Sequence, residues 1–116
     1  MKISHYSLGR ITIDGKTYTT DVIIYPNRVD SSWWRKEGHY LQPVDLEDII
    51  NAKPEILIIG SGASGVMKVP EETLKLIKSK GIEVHVGMTG SAVELFSKIQ
   101  SEKSDKRIIA ALHLTC

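Results

Sequence analysis

The sequence predicts one α/β domain that spans all 116 residues, and two observations support this fold class. Three β-prone segments at 55–59, 82–86 and 107–114 alternate with two helical patterns, a spacing typical of right-handed parallel crossovers. Asp14-Gly15 separates two earlier β-prone runs, and Asp-Gly is a strong signal for a hairpin turn. We therefore expect parallel C-terminal strands and an N-terminal hairpin that joins their sheet or packs beside it.

The first half of the chain contains the hairpin, an irregular segment and a short helix. The hairpin strands are predicted at residues 10–13 and 16–25, and residues 28–43 show no clean period and are expected to form a long excursion. Asp45 can cap a short helix, because two acidic residues follow it in the first turn. The apolar stripe of this helix consists of Leu46, Ile49 and Ile50.

A second helix is predicted between the first two parallel strands. Pro70 is expected at the first helical position, where its missing N–H costs nothing. Leu74 and Ile77 are expected to face inward, and Gly81 ends the helix.

A third helix precedes the last strand. Ser91 and Glu94 form a capping box that predicts its first turn, and residues 104–107 are predicted to turn into the strand. The inner face of this helix is expected to be Leu95, Phe96 and Ile99.

Composition and charge exclude several classes of protein. With Lys+Arg 15 against Asp+Glu 14, the chain has no basic surplus for binding nucleic acid or an anionic membrane. The lone Cys116 excludes an internal disulfide, which is compatible with a reducing compartment. No apolar run approaches the roughly 18 residues of a membrane span, and the first residues resemble neither a signal peptide nor a presequence. We expect a cytoplasmic protein.

The glycine-rich segment Gly60–Gly65 spells G-x-G-x-x-G and has three interpretations. A dinucleotide-binding turn needs a helix that begins inside the motif, but the helix signal comes at Pro70, five residues after Gly65. The next strand also ends in Val86-Gly87-Met88, without an acid for a ribose. We therefore predict no NAD, FAD or nucleoside triphosphate, and no other cofactor. A second interpretation is a sharp turn at a sheet edge that binds no ligand.

The third interpretation is a ligand cleft at the carboxyl edge of the parallel strands. Loops and the tail that follow parallel strands emerge at the same edge, where open α/β sheets bind ligands. The candidate cleft residues are Gly60, Ser61, Gly62, Ser64, Thr89, Ser91, His113 and Cys116.

The histidines and the cysteine have two functional interpretations, as metal ligands or as a Cys–His nucleophile. His39, His85, His113 and Cys116 include no pair with the spacing of a metal motif. A cysteine at the last position of the sequence is expected to be poorly held. We predict no metal ligand and no catalytic residue. His85 shares a strand face with Glu83 and is expected to be solvated or hydrogen-bonded.

Trp33, Trp34 and Arg35 lie in the irregular excursion and have two interpretations. Such a pair commonly anchors a long loop on the core, and an exposed aromatic–Arg cluster can instead be an interaction hot spot. We expect one indole to be structural and the other to be at least partly exposed.

Several segments together resemble one protein family. They are Trp34-Arg35, residues 41–43, residues 55–62, residues 68–86 and residues 108–116, with Thr89 and Ala92-Val93. The family is the domain of unknown function shared by the human adipogenesis-associated protein and a mitochondrial complex I assembly factor. Residues 68–84 and the terminal His-x-Thr-Cys look closest to the adipogenesis-associated branch.

The resemblance implies a compact three-layer α/β fold with a mixed central sheet. It implies no established enzymatic activity, and no catalytic residue carries over. The assembly-factor branch acts through protein partners inside mitochondria. Residues 88–93 depart from the acidic-Thr, Ala-Cys pattern of that branch, which removes a cysteine that a redox role would use.

The leading hypothesis is a non-enzymatic interaction or assembly module that binds a protein partner or a second copy of itself. The alternative is a protein that binds a small anion or metabolite, or a hydrolase, with its site in the cleft at Gly60–Gly65.

Overall fold

The computed structural model describes residues 1–103 and 105–116, and a five-stranded sheet lies at its centre. A second sheet of three strands is formed by the N-terminal segment. The strands are β1 (Ile3–Ser7), β2 (Arg10–Ile13), β3 (Lys16–Tyr18), β4 (Val22–Ile24), β5 (Val29–Asp30), β6 (Ile56–Ser61), β7 (Glu83–Gly87) and β8 (Ile108–His113). The α-helices are α1 (Glu47–Asn51), α2 (Glu71–Ser79) and α3 (Thr89–Glu102).

The central sheet has the strand order β5-β4-β8-β6-β7 and is mixed. β6 pairs in parallel with β7 on one side and with β8 on the other. β4 pairs antiparallel with β8, and β5 pairs antiparallel with β4. The predicted α/β class, the parallel C-terminal strands and the mixed sheet are confirmed.

Apolar side chains fill both faces of the central sheet and so produce three layers. On one face, Ile58 and Ala110 pack with Phe96 of α3 and Ile11 of the N-terminal sheet. The other face packs under α1, α2 and the 28–43 excursion, through Leu57, Ile59, Ile109, Leu46, Ile49, Ile77, Trp33 and Leu41. The residues of β6 and β8 are buried along their whole length, which explains why their sequences read as continuous apolar runs.

The N-terminal hairpin is present. It has an additional strand before it, and its second strand is shorter than predicted. A strand before it, β1, pairs antiparallel with β2, which the sequence had not indicated. The predicted strand over residues 16–25 is wrong as one element, because β3 belongs to the N-terminal sheet and β4 to the central sheet. The break lies at Thr19–Asp21, where the carboxylate of Asp21 points to partners on other segments.

The helices match the predictions, with shifts at their ends. Pro70 is the residue before α2 and not its first helical position. Thr73 and Ile77 are the buried positions of α2, whereas Leu74 is half-buried, because the Thr73 hydroxyl donates to the carbonyl of Leu41 at 3.0 Å. The capping box that was predicted at Ser91 is wrong, because α3 already begins at Thr89.

Asp45 does not cap α1 as expected. Residues 43–46 form a turn of 3₁₀ helix before α1, and the carboxylate of Asp45 accepts the backbone N–H groups of Lys36 and Gln42. Ser104, the first residue of the predicted turn at 104–107, lies outside the described residues. None of the helices in the described ranges combines the length and apolar character needed to cross a bilayer.

Candidate functional site

The glycine loop, residues 60–65, begins at the end of β6 and wraps around the tail, residues 115–116. The backbone N–H of Ala63 donates to the carbonyl of Thr115 at 2.6 Å. The N–H groups of Ser64 and Val66 donate to the carbonyl of Cys116 at 3.3 and 3.0 Å. These are the donors that an anion would need at this loop, and they are already bonded to the chain itself.

Gly62 makes this close approach possible. Its φ is +110°, a conformation that residues with a side chain rarely adopt. A Cβ at this position would overlap the backbone carbonyl of Cys116 and would lie 3.0 Å from Cδ2 of His113. The second glycine of the motif therefore admits the chain's own tail, where the dinucleotide fold would admit a pyrophosphate.

Thr89 ties the ends of the parallel strands together. Its buried hydroxyl accepts the N–H of Gly62 at 2.8 Å and donates to the carbonyl of His113 at 2.6 Å. A Cβ at Gly60 would lie 2.8 Å from the same hydroxyl, so the start of α3 packs directly on β6. Of the candidate cleft residues, Gly60, Gly62, Thr89, His113 and Cys116 are thus brought together.

The three candidate serines are placed differently relative to this cluster. Ser61 is the partner of His113 in the parallel ladder between β6 and β8. The Ser61 hydroxyl is buried and donates to the carbonyl of Gly87 at 3.1 Å. Ser64 is exposed and contributes its backbone N–H to the tail. Ser91 is exposed on α3 and lines a hollow beside β7, together with Val86 and Gly87.

A buried charge cluster lies beside the tail and was not predicted. Oδ2 of Asp21 is 2.8 Å from Nη2 of Arg35 and 2.8 Å from Nδ1 of His113. Its other oxygen accepts the backbone N–H of Leu114 at 2.7 Å. The guanidinium also donates to the carbonyl of Gly38, so Asp21 joins the excursion to β8. The available sequence signal was one carboxylate inside a β-prone run of Thr, Val and Ile.

The charge cluster keeps Asp21 ionised. Burial alone would raise the pKa of Asp21, and it is the largest single influence. The hydrogen bonds from the Leu114 N–H, His113 and Arg35 together outweigh burial, so the pKa of Asp21 lies below its ordinary value. Asp21 is therefore a carboxylate at neutral pH, and it balances the Arg35 cation inside the fold.

His39 and Cys116 complete a group of three side chains with His113. One ligand atom from each residue lies within 4.8 Å of the others, and Sγ of Cys116 is 3.7 Å from Nε2 of His39. The two imidazole rings meet edge to face, with centroids 5.4 Å apart. Nε2 of His113 is buried and has no hydrogen-bond partner within residues 1–103 and 105–116. His39 and His113 are 74 residues apart and His113 and Cys116 are three apart, a spacing that does not indicate a shared site.

The expectation that Cys116 is poorly held is wrong for its backbone, because the glycine loop binds its carbonyl. His85 lies elsewhere, at the edge of the sheet, where its Nε2 is 2.6 Å from the carboxylate of Glu83. This exposed pair agrees with the expectation that His85 is hydrogen-bonded.

The two tryptophans have opposite environments, as expected for one anchor and one exposed side chain. Trp33 is 8% exposed, and its indole N–H donates to the carbonyl of Asp45 at 3.3 Å. Trp34 is 75% exposed, and the exposed Val44 lines the same hollow beside it. The Arg35 guanidinium lies 4.6 Å from the centroid of the Trp33 ring, so the residues on both sides of Trp34 are anchored.

A cavity of about 800 Å³ lies near the amino ends of the parallel strands, at the edge opposite the glycine loop. Glu55 and Glu83 line it, and both carboxyls have lowered pKa values, through hydrogen bonds to Arg107 and His85 respectively. Sequence reasoning missed this cavity because three separate loops form it. Its basic lining residues are Lys53, Lys80, Lys103, Lys106 and Arg107.

The comparisons with known proteins place the chain in a family. Residues 3–113 match the family described as protein of unknown function (DUF498/DUF598). The chain belongs to this family. A conserved hypothetical protein from Pyrococcus horikoshii has a solved structure that is 30% identical, with all of both chains covered and a TM-score of 0.81.

Two further solved structures show the same fold. The protein MT938 is 26% identical, with 98% of this chain and 97% of that chain covered and a TM-score of 0.79. A protein described as an outer membrane protein from Bartonella henselae is 23% identical, with 98% and 94% covered and a TM-score of 0.80. The family description assigns no activity, so the resemblance at the level of a domain of unknown function is confirmed.

Proposed function

We propose that this protein is a non-enzymatic interaction or assembly module, and that a protein partner binds at Trp34. The observation that carries this proposal is an exposed indole held between two anchored neighbours. Trp33 is packed into the core, and Arg35 is fixed by Asp21 and Gly38.

An anchored loop lowers the cost of binding. Association loses free energy when a mobile side chain or loop becomes ordered at the interface. Here the side chains of Trp33 and Arg35 already fix the backbone on both sides of Trp34. The loss of conformational entropy on binding is therefore smaller. Tryptophan is also enriched among the few residues that contribute most of the binding free energy at interfaces.

The surroundings of Trp34 define the chemistry of the partner. A hollow of about 250 Å³ beside the indole is lined by Val44 and by the acidic residues Asp30, Glu47 and Asp48. Exposed apolar side chains beside acidic groups are complementary to an apolar side chain flanked by Lys or Arg. The expected partner is therefore a protein segment of that composition.

An assembly role is the finer form of this proposal. It is supported by the resemblance to the family that includes the mitochondrial complex I assembly factor, whose branch acts through protein partners.

A cytoplasmic location is also proposed, and cell fractionation tests it. A small ligand in the cleft at Gly60–Gly65 has less support, because the loop amides are bonded to Thr115 and Cys116.

Site-specific photocrosslinking tests the proposal. A photoreactive amino acid replaces Trp34 in one variant and Leu8 in a control variant, since Leu8 is a second large apolar side chain and is 70% exposed. We expect position 34 to crosslink to a protein with at least about tenfold greater yield than position 8. A crosslink to a second copy of the chain identifies self-association as the mode of interaction. Equal yields at the two positions would contradict the proposal.

A further inference from the structure

We propose that His39, His113 and Cys116 form a binding site for a divalent transition metal of the zinc type. Two imidazoles and one thiolate are ligands that zinc prefers, and three protein ligands leave a fourth position for water. One ligand atom from each of the three residues already lies within 4.8 Å of the others. Nothing in the proposed interaction function depends on this site.

The protonation of His113 leaves a lone pair available. Nη2 of Arg35 carries two hydrogens, and Oδ2 of Asp21 and the carbonyl of Gly38 accept them at 2.8 and 3.0 Å. Nη2 also lies 3.2 Å from Nδ1 of His113, but a carboxylate cannot donate, so Nδ1 supplies the hydrogen of its 2.8 Å contact with Oδ2 of Asp21. In the neutral imidazole, this tautomer leaves the lone pair on Nε2.

That lone pair is the second observation that points to a ligand. The His113 side chain is only 6% exposed, and its Nε2 lacks a hydrogen-bond partner in the described part of the chain. A buried polar atom without a partner costs free energy, which a bound metal ion would remove. His39 and Cys116 are the neighbouring groups that can share such an ion.

The distances fit tetrahedral coordination after a small closure. Zn–S near 2.3 Å and Zn–N near 2.05 Å place tetrahedral ligand atoms about 3.4 to 3.6 Å apart. Sγ of Cys116 and Nε2 of His39 are 3.7 Å apart, which nearly meets this requirement. The two separations that involve His113 are at most 4.8 Å, so each has to shorten by at most about 1.5 Å. His39 and Cys116 are exposed and can move by that amount, whereas His113 is fixed.

The surrounding residues support the site in two ways. Asp21 binds Nδ1 of His113, and a carboxylate on the second nitrogen is the usual partner of a metal-binding histidine because it fixes the ring and raises its basicity. The glycine loop holds the backbone of Cys116 next to His113. Arg35 is the nearest cation, but Asp21 balances its charge. Binding converts the Cys116 thiol to a thiolate, and its proton goes to solvent.

Titration of the reduced protein with Co²⁺ and with Zn²⁺ tests this proposal. Co²⁺ bound by a thiolate in a tetrahedral site gives a sulfur-to-metal charge-transfer band and intense visible d–d bands, and Zn²⁺ then displaces it. We expect one equivalent to bind with these bands and with micromolar or tighter affinity. His39→Ala and Cys116→Ser should each weaken binding by more than about 100-fold, because each removes a ligand.

Three further variants distinguish metal binding at this site from metal binding elsewhere on the protein. Asp21→Asn should weaken binding by about 10- to 100-fold through His113. His85→Ala removes an exposed histidine paired with Glu83, and Trp34→Ala removes the proposed partner contact, so both should bind Co²⁺ like the wild type. No charge-transfer band in the wild type would overturn the proposal. Unchanged binding by folded His39→Ala and Cys116→Ser would also overturn it.

Discussion

Nδ1 of His113 lies 2.8 Å from the carboxylate of Asp21, although 92 residues separate them in the sequence. The same carboxylate binds Arg35 and the backbone N–H of Leu114. Asp21 therefore connects the break between β3 and β4 to the last strand and to the excursion. This one carboxylate holds in place both the edge of the sheet where the tail lies and the loop that carries Trp34.

Loss of the Asp21 carboxylate should destabilise the fold. Asp21→Ala leaves the buried Arg35 guanidinium without its counter-ion, and breaking such a buried pair typically costs about 3 kcal/mol or more. Glu94→Ala, at an exposed position of α3, should change stability by no more than about 0.5 kcal/mol. Chemical denaturation measures both. Equal stability of the two variants would show that the cluster contributes nothing to the fold.

The stability should also fall in acid through Asp21. Because the pKa of Asp21 is lowered from its ordinary value of 3.8, the folded state favours the carboxylate. Its contribution is therefore fully present above that ordinary value and is lost as the pH falls through the lower pKa of the folded state. The difference in unfolding free energy between wild type and Asp21→Asn should be constant near neutral pH and shrink below pH 3.8. A difference that grows on acidification would contradict the assignment.

Gly62 should tolerate no side chain. Gly62→Ala combines a strained φ of +110° with overlap on the Cys116 backbone, and we expect a loss of about 2 to 4 kcal/mol. Hydrogen exchange should show faster exchange at the amides of Ala63 and Val66, which bond to the tail. Gly90→Ala is the matched control, since a Cβ at Gly90 meets nothing within 4 Å. Wild-type protection in Gly62→Ala would show that the tail does not depend on this close approach.

The glycine loop should not bind nucleotides. The N–H groups of Ala63, Ser64 and Val66 already donate to the tail, and α2 begins six residues beyond the motif, at Glu71. Titration with NAD, FAD and ATP should leave the NMR signals of Gly60–Gly65 unshifted. A saturable shift of these signals at submillimolar ligand would contradict this prediction, because it would mean that a phosphate displaces the tail from the loop.

The parallel strands could be predicted from the sequence because their signals are local. The strands β6 and β8 are continuous apolar runs, and the helices between the parallel strands have regular spacing, so the parallel direction of the strands follows from general rules. The position of the glycine loop near Thr89 and His113 follows from the same rules. Hydrogen bonds of Thr89 to both Gly62 and His113 agree with that expectation.

The remaining features depend on contacts between distant residues. Residues 16–25 have an unbroken β-prone pattern, yet the chain passes from one sheet to the other between β3 and β4. Asp21 lies at this break, and its side-chain partners are 14 and 92 residues away. The meeting of His39 with Cys116 is likewise a product of tertiary structure, 77 residues apart. Such contacts carry no periodicity or motif that a single sequence reveals.

A paired comparison of Trp33→Ala and Trp34→Ala tests the proposed function most directly. Trp33 is part of the core, so its truncation should cost about 3 to 5 kcal/mol. Trp34 is 75% exposed, so Trp34→Ala should change stability by no more than about 0.5 kcal/mol. Chemical denaturation measures the stability of each variant. On the same preparations, a binding assay measures the affinity for the crosslinked partner, or sedimentation measures self-association if the partner is a second copy. We predict that Trp34→Ala stays folded and loses at least about tenfold in affinity. Two strongly destabilised variants with unchanged association would show that the segment is core, and would contradict a docking role for Trp34.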